Sequence, residues 1–263
     1  LDLVAQKRVL VSGAVAEKAS RLVSRAEPLV VTDPRRFISR GGEKLDAALD
    51  GFGVSVEEKC GLDAGAATGG FTDCLLKRGA RRVWSVDVGH GQLATELRAD
   101  ERVVVFERCN LRHASLESLA ADPFQIIVAD LSFISLTLVA DLLSKDLASP
   151  AADMVLLVKP QFEAGRKEVD RGSGVIRDPA VWRAALQRVG SAFEDAGAAI
   201  MGAMASPLTG PAGNVEFLLH ALAPSTADPP RHSGDQPASS IQPASLDQLL
   251  DRALAGVEVR AGT

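Results

Sequence analysis

The sequence predicts an α/β protein in which a doubly wound, mostly parallel sheet of seven strands follows a small N-terminal module. Three observations carry the prediction. From Cys60 onward, short apolar runs alternate with amphipathic stretches of helical spacing, the signature of repeated strand–helix units. The first run passes through Leu62-Asp63-Ala64-Gly65-Ala66-Ala67-Thr68-Gly69-Gly70-Phe71, an acid followed by a small-residue turn into a helix. The last two runs are joined by residues 206–214, too few for a crossover helix, so they pair antiparallel.

Taken in order, residues 7–11 read as a short strand, with Ser12-Gly13 turning the chain back towards Val15. Residues 1–34 are therefore the remainder of a small α/β module, and 35–42 a linker, hinge-like at Ser39-Arg40-Gly41-Gly42. A helix over 43–52 places Leu45, Ala48, Leu49 and Phe52 on one face. The main domain, 43–222, continues with strands at 61–62, 83–86, 103–106, 126–129, 155–158, 199–204 and 215–219. Helices are expected at 71–78, 92–99, 116–121, 136–147 and 180–196. Residues 223–244 are rich in proline and small polar residues and read as a disordered linker. Residues 245–263 read as a last helix and tail, with Leu246, Leu249, Leu250 and Ala253 on one side.

Composition narrows the function. Apolar residues make up 46% of the 263, enough for a real core. No apolar run reaches the ~18 residues of a membrane span, and no signal-peptide pattern heads the sequence. Three irregularly spaced cysteines (Cys60, Cys74, Cys109) speak for a reducing, cytoplasmic setting and against a disulfide framework or a metal site. The net charge of −5 is uneven: residues 1–40 carry eight Lys/Arg against four acids, leaving the remainder at −9. A basic appendage on an acidic body points to a polyanion met through Lys7, Arg8, Arg21 and Arg40.

The glycine loop specifies its ligand by what it lacks. A dinucleotide fingerprint has glycine at its second position, so that the backbone can approach a pyrophosphate. Here the sequence reads Gly65-Ala66-Ala67-Thr68-Gly69-Gly70, with alanine at that place, and Asp63 would repel a phosphate. A nucleoside without phosphates fits better, and S-adenosylmethionine is the common one. Asp87 ends the second strand 22 residues after Gly65, the offset for a carboxylate on a ribose diol. Asn110 follows the third strand and is placed to read an adenine edge, although Asn is equally a turn residue. Cofactor contacts are thus expected at Asp63, Gly65, Thr68, Gly69, Gly70, Phe71, Asp87, Asn110 and Asp130. Seven strands ending in an antiparallel pair match the Rossmann-like class I methyltransferase sheet.

Three more residues sit at strand ends on the same side. Asp130 closes Ile126-Ile127-Val128-Ala129, Lys159 closes Val155-Leu156-Leu157-Val158, and Glu216 opens the final strand. A lysine ending a buried apolar strand is costly unless paired, and burial with partners is what tunes a lysine towards base chemistry.

The motifs Ser39-Arg40-Gly41-Gly42-Glu43-Lys44-Leu45, Asp87-Val88-Gly89-His90-Gly91-Gln92-Leu93, Asp130-Leu131-Ser132-Phe133-Ile134-Ser135, Lys159-Pro160-Gln161-Phe162-Glu163 and Gly213-Asn214-Val215-Glu216, with the glycine loop, resemble the TlyA (hemolysin A) family. These are S-adenosylmethionine-dependent ribosomal RNA 2′-O-methyltransferases. The resemblance spans residues 7–222 and implies an S4-like RNA-binding module at the N-terminus, whose opening half would precede residue 1. It also implies a Lys-Asp-Lys-Glu catalytic tetrad at Lys44, Asp130, Lys159 and Glu216. In that scheme Lys159 acts on the ribose hydroxyl, Asp130 and Glu216 orient its ammonium, and Lys44 positions the nucleotide. Cytidine in ribosomal RNA or ribosomal subunits is the substrate it implies. Another RNA is the near alternative, and a pore-forming hemolysin, after the family's older name, is the alternative of a different class.

Overall fold

The computed structural model describes residues 2–5, 8–32, 36–164, 174–225 and 244–261, and the chain forms two compact units, residues 1–36 and 37–263. The first holds a short helix, α1 (Asp2–Ala5), and three strands, β1 (Val9–Val11), β2 (Ala14–Val15) and β3 (Leu29–Val31). They form an antiparallel sheet in the order β2-β1-β3. Ser12 and Gly13 both turn at positive φ (51° and 81°), as a two-residue hairpin with right-twisted strands requires. Arg8 is fastened within this unit by its Nε–H to the Thr32 carbonyl at 2.8 Å. Lys7 lies outside the described residues.

The second unit is built on seven strands: β4 (Cys60–Ala64), β5 (Arg82–Val86), β6 (Val103–Phe106), β7 (Phe124–Ala129), β8 (Ala148–Val158), β9 (Ala199–Ala205) and β10 (Phe217–Leu222). Their order is β6-β5-β4-β7-β8-β10-β9. The neighbours from β6 to β8 run parallel, and β10 is antiparallel to both β8 and β9. The expected antiparallel pair is present, but its second strand is interior: β10 is inserted between β8 and the edge strand β9. The order reverses between β4 and β7, which opens a crevice at their carboxyl ends.

Helices cover both faces. On one, α2 (Arg40–Phe52) and α3 (Gly70–Lys77) pack on Ile126, Val128, Val155 and Leu157. On the other, α6 (Pro179–Asp195) brings Trp182, Leu186 and Phe193 into the core that holds Ile127, Met154 and Leu156, and α7 (Leu246–Ala261) packs on α6 and β9 with Leu250 buried. Alternate residues of β7 and β8 thus enter opposite cores, and each fully buried Val, Leu or Ile contributes about 1.5–3 kcal/mol. Two shorter helices, α4 (Thr95–Arg98) and α5 (Pro160–Glu163), follow strands β5 and β8.

Several elements depart from expectation. Ser39-Arg40-Gly41-Gly42 is no hinge: Ser39 caps α2, its Oγ accepting from the Gly41 N–H, and Arg40–Gly42 are its first turn. Residues 116–121 form turns rather than a helix, because Ser115 and Ser118 bond each other's backbone N–H groups and Ala120 takes φ 45°. The expected helix over 136–147 splits into a 3₁₀ turn, Leu136–Val139, and a wide π turn, Leu142–Leu147. The helix over 92–99 shrinks to α4. The closing helix is longer than expected, while of the proline-rich stretch residues 226–243 lie outside the described residues.

Helix α2 is held to α3 by Arg78, which donates from Nε to Asp46 Oδ1 at 2.7 Å and from Nη2 to Asp50 Oδ1 at 2.8 Å. Asp46 is buried. Arg78→Met is therefore expected to lower unfolding stability by about 2–3 kcal/mol, because a buried carboxylate loses its guanidinium. Urea denaturation measures this, and an unchanged midpoint would contradict it.

Candidate active site

At the carboxyl ends of β4, β5 and β7 lies a cavity of about 670 Å³, within the range of small-ligand sites. Gly65 (φ 90°), Ala67 (φ 47°) and Gly69 (φ 94°) give the loop after β4 its path. The Gly65 and Ala66 N–H groups donate to the Val86 carbonyl. A Cβ on Gly65 would lie 2.6 Å from the Asp130 carbonyl oxygen, so only glycine lets the loop rest on the end of β7.

Four of the expected cofactor residues, Gly65, Asp87, Asn110 and Asp130, line this cavity with apolar walls from Val86, Leu111, Leu131 and Ile134. Asp87 Oδ2 accepts from the Ala67 N–H at 2.9 Å and Oδ1 from the Gly89 N–H at 2.6 Å. Its carboxylate thereby ties two loops together and keeps lone pairs for a ligand. Asn110 Oδ1 accepts from the Arg112 N–H at 3.1 Å, which leaves its amide NH₂ to donate.

The other five lie outside the cavity lining. Thr68 is exposed, and Phe71 is buried in the α2–α3 core. Gly69 and Gly70 allow close packing: a Cβ on the first would meet Leu97, and on the second Ser39. Asp63 is buried beneath the loop, where Oδ2 accepts from the Thr72 N–H at 2.8 Å and its Oγ–H at 2.6 Å.

Burial pushes the Asp63 carboxyl up to about 7; Thr72 opposes this, while Asp130 and Asp87 add to it. The native chain then holds a proton that the unfolded chain releases near pH 4. Stability therefore falls as pH rises from about 4 to about 7, by at most about 1.4 kcal/mol per pH unit from this group. Asp63→Asn is expected to flatten that slope in denaturation curves taken across the window, and parallel slopes for both proteins would rule it out.

The tetrad assembles as two ion pairs. Lys159 follows β8 and serves as N-cap of α5, with Pro160 at the first helical position. Its Nζ lies 2.6 Å from Asp130 Oδ1 and donates to Ser132 Oγ at 2.8 Å. Glu216 does not open the last strand but precedes it. Phe217 pairs with Val158, which sets Glu216 beside Lys159 along the register. Its carboxylate meets the ammonium of Lys44 from α2, and both side chains are buried. A Cβ on Gly210 would lie 2.5 Å from Glu216 Oε1, so a side chain there would push this carboxylate aside. Asp130 thus pairs with Lys159, whereas the partner of Glu216 is Lys44.

Arg40 reaches the Thr209 carbonyl at 2.9 Å, holding α2 to this turn. Arg21 sits 3.8 Å from Glu27 in the first unit. Sequence reasoning missed Ser132, the second partner of Lys159, and Phe133. Phe133 takes φ 66°, is 91% exposed and packs its ring 5.1 Å from that of Phe162. A serine two residues after the strand-ending Asp130 was the available signal. Arg112, on the cavity rim, was also missed.

A family model described as FtsJ-like methyltransferase matches residues 37–222. The chain belongs to the FtsJ-like methyltransferase family. Among relatives of this FtsJ-like methyltransferase, the "16S/23S rRNA (cytidine-2'-O)-methyltransferase TlyA" of Mycobacterium tuberculosis is 46% identical over 220 residues, 83% of this chain and 81% of that one. A solved structure from Streptococcus thermophilus described as a hemolysin is 32% identical with a TM-score of 0.76, covering 99% of this chain and 90% of that chain. A solved S-adenosylmethionine-dependent methyltransferase from Listeria monocytogenes shares the fold at 13% identity and TM-score 0.50, over 70% of this chain and 98% of that one. Among the described residues, no helix of this FtsJ-like methyltransferase is long and apolar enough to cross a membrane.

Proposed function

We propose that this chain methylates ribose 2′-hydroxyls of ribosomal RNA, at cytidine, with S-adenosylmethionine as donor. The observation that carries the reading is an amine, Lys159, held by Asp130 and Ser132 beside a nucleoside-sized cavity that Asp130 also lines. The cavity suits the donor: Asp87 would hold its ribose diol, Asn110 and the apolar walls its adenine, and Asp130 its cationic portion. When bound, the donor supplies a methyl group already activated on a sulfonium.

The work left to the chain is placement and proton handling. With its own proton given up to solvent, the Lys159 amine would face the 2′-hydroxyl, align its lone pair and take up its proton as the C–O bond forms and the donor's S–CH₃ bond breaks. Asp130 stabilises the resulting ammonium, and Ser132 fixes the direction of Nζ. The Lys44–Glu216 pair holds the neighbouring wall, where Lys44 positions the nucleotide. Phe133 offers a face on which the target base stacks, and Arg112 meets phosphate at the rim. Arg8 and Arg21, with Lys7, make the first unit an RNA contact, as expected of an S4-like module. Ribosome assembly in the cytoplasm is the setting that this substrate implies.

The test is transfer of labelled methyl groups from S-adenosylmethionine to unmodified ribosomal subunits, followed by digestion to nucleosides. Label in 2′-O-methylcytidine is expected. Label confined to a base would sink the ribose reading, and no label in either subunit would sink the substrate.

A further inference from the structure

Two short segments meet beside the cavity: residues 130–136, after β7, most of which line it, and residues 159–163, which begin at Lys159 and include α5. They are joined at three points. At one end Lys159 meets Asp130 and Ser132, and in the middle the rings of Phe162 and Phe133 pack together. At the far end Glu163, itself buried, accepts from the Ser135 Oγ–H at 2.5 Å and from the Leu136 N–H at 2.9 Å. Its own carbonyl accepts from Arg188 of α6.

We propose that Glu163 is a positioning residue for methyl transfer, a staple that holds the cavity wall and the lysine-bearing segment in one register; this rests on the reading above. Ser135 lines the cavity and caps the 3₁₀ turn that carries Leu138, another lining residue. The same segment carries Ser132, which aims Nζ, and Phe133. A carboxylate that secures this segment therefore acts on donor and acceptor together. Burial pushes the Glu163 carboxyl up, opposed by its two donors and by Arg188, so an acid at this position carries a folding cost that a merely space-filling residue would avoid.

The role separates from plain packing by chemistry. Glutamine keeps both links, since Oε1 still accepts from Leu136 and Nε2 can donate to Ser135 Oγ; alanine keeps neither and strands the Leu136 N–H. Glu163→Ala is expected to weaken S-adenosylmethionine binding about tenfold by calorimetry and to lower kcat about tenfold, with Glu163→Gln restoring both to within about threefold. Lys159→Ala, by contrast, lowers kcat far more than donor affinity, so a comparable loss in both marks the staple. If Glu163→Ala does not fold, Ser135→Ala carries the test, with weaker donor binding expected. A Glu163→Ala (or Ser135→Ala) protein with wild-type donor affinity and kcat, altered only in Tm, would overturn the staple alone. A wild-type chain that binds no S-adenosylmethionine would overturn the methyl-transfer reading and the staple with it.

Discussion

Lys159→Met is expected to lower kcat for methyl transfer by about 10²–10⁴-fold, the usual weight of a positioned acid–base group. The donor dissociation constant stays within about threefold of wild type, because the cavity walls are untouched. Methionine fills most of the lysine's volume in this largely buried position, so the loss reads chemistry rather than a void. The variant also leaves Asp130 facing an apolar side chain. Asp130→Asn in the same background therefore recovers thermal stability without recovering rate. Single-turnover kinetics with calorimetry measures both, and a kcat within threefold of wild type would remove Lys159 from the mechanism.

Gly65→Ala is expected to weaken donor binding by about 100-fold or more, through two costs that add. The residue sits at φ 90°, where a side chain is strained by about 1–3 kcal/mol. Its Cβ would also lie 2.6 Å from the Asp130 carbonyl oxygen, so the loop or the end of β7 must move. Either movement displaces a cavity wall. Gly91→Ala is the control, since Gly91 has φ 69° but no atom within 4 Å of the added methyl. It carries the strain without the collision, and its donor affinity stays near wild type. Equal affinities for Gly65→Ala and wild type would show that the loop does not shape the donor site.

What the sequence makes legible follows from which interactions are local. The apolar runs ending at Asp130 and Lys159 mark strand ends because burial on both faces leaves no other reading, and the sheet places them at one edge. The functions of the glycines are not legible: Gly65 borders the cavity, whereas Gly69 and Gly70 serve packing against Leu97 and Ser39, residues distant in sequence. Asp63 looks like a ligand contact because it ends a strand, yet Thr72 folds back and encloses it. Ser132 and Glu163 escape notice because their partners lie 27 and 28 residues away. The split of the 136–147 helix is equally hidden, since its apolar spacing is helical and only the Ser135 cap and the strand that follows decide its form.

The interior place of β10 has a consequence for the order of events during synthesis. Lys44 is among the first residues of the second unit to leave the ribosome, while Glu216 follows 172 residues later. Until residues 217–222 arrive, β8 and β9 have no strand between them and the buried ammonium of Lys44 has no carboxylate. Every residue lining the donor cavity lies before residue 139, so the nascent chain carries the whole lining early. Lys44 gains its buried partner only when β10 threads into the gap. A methyltransferase of this design thus completes that ion pair only after the other six strands of its sheet have been made.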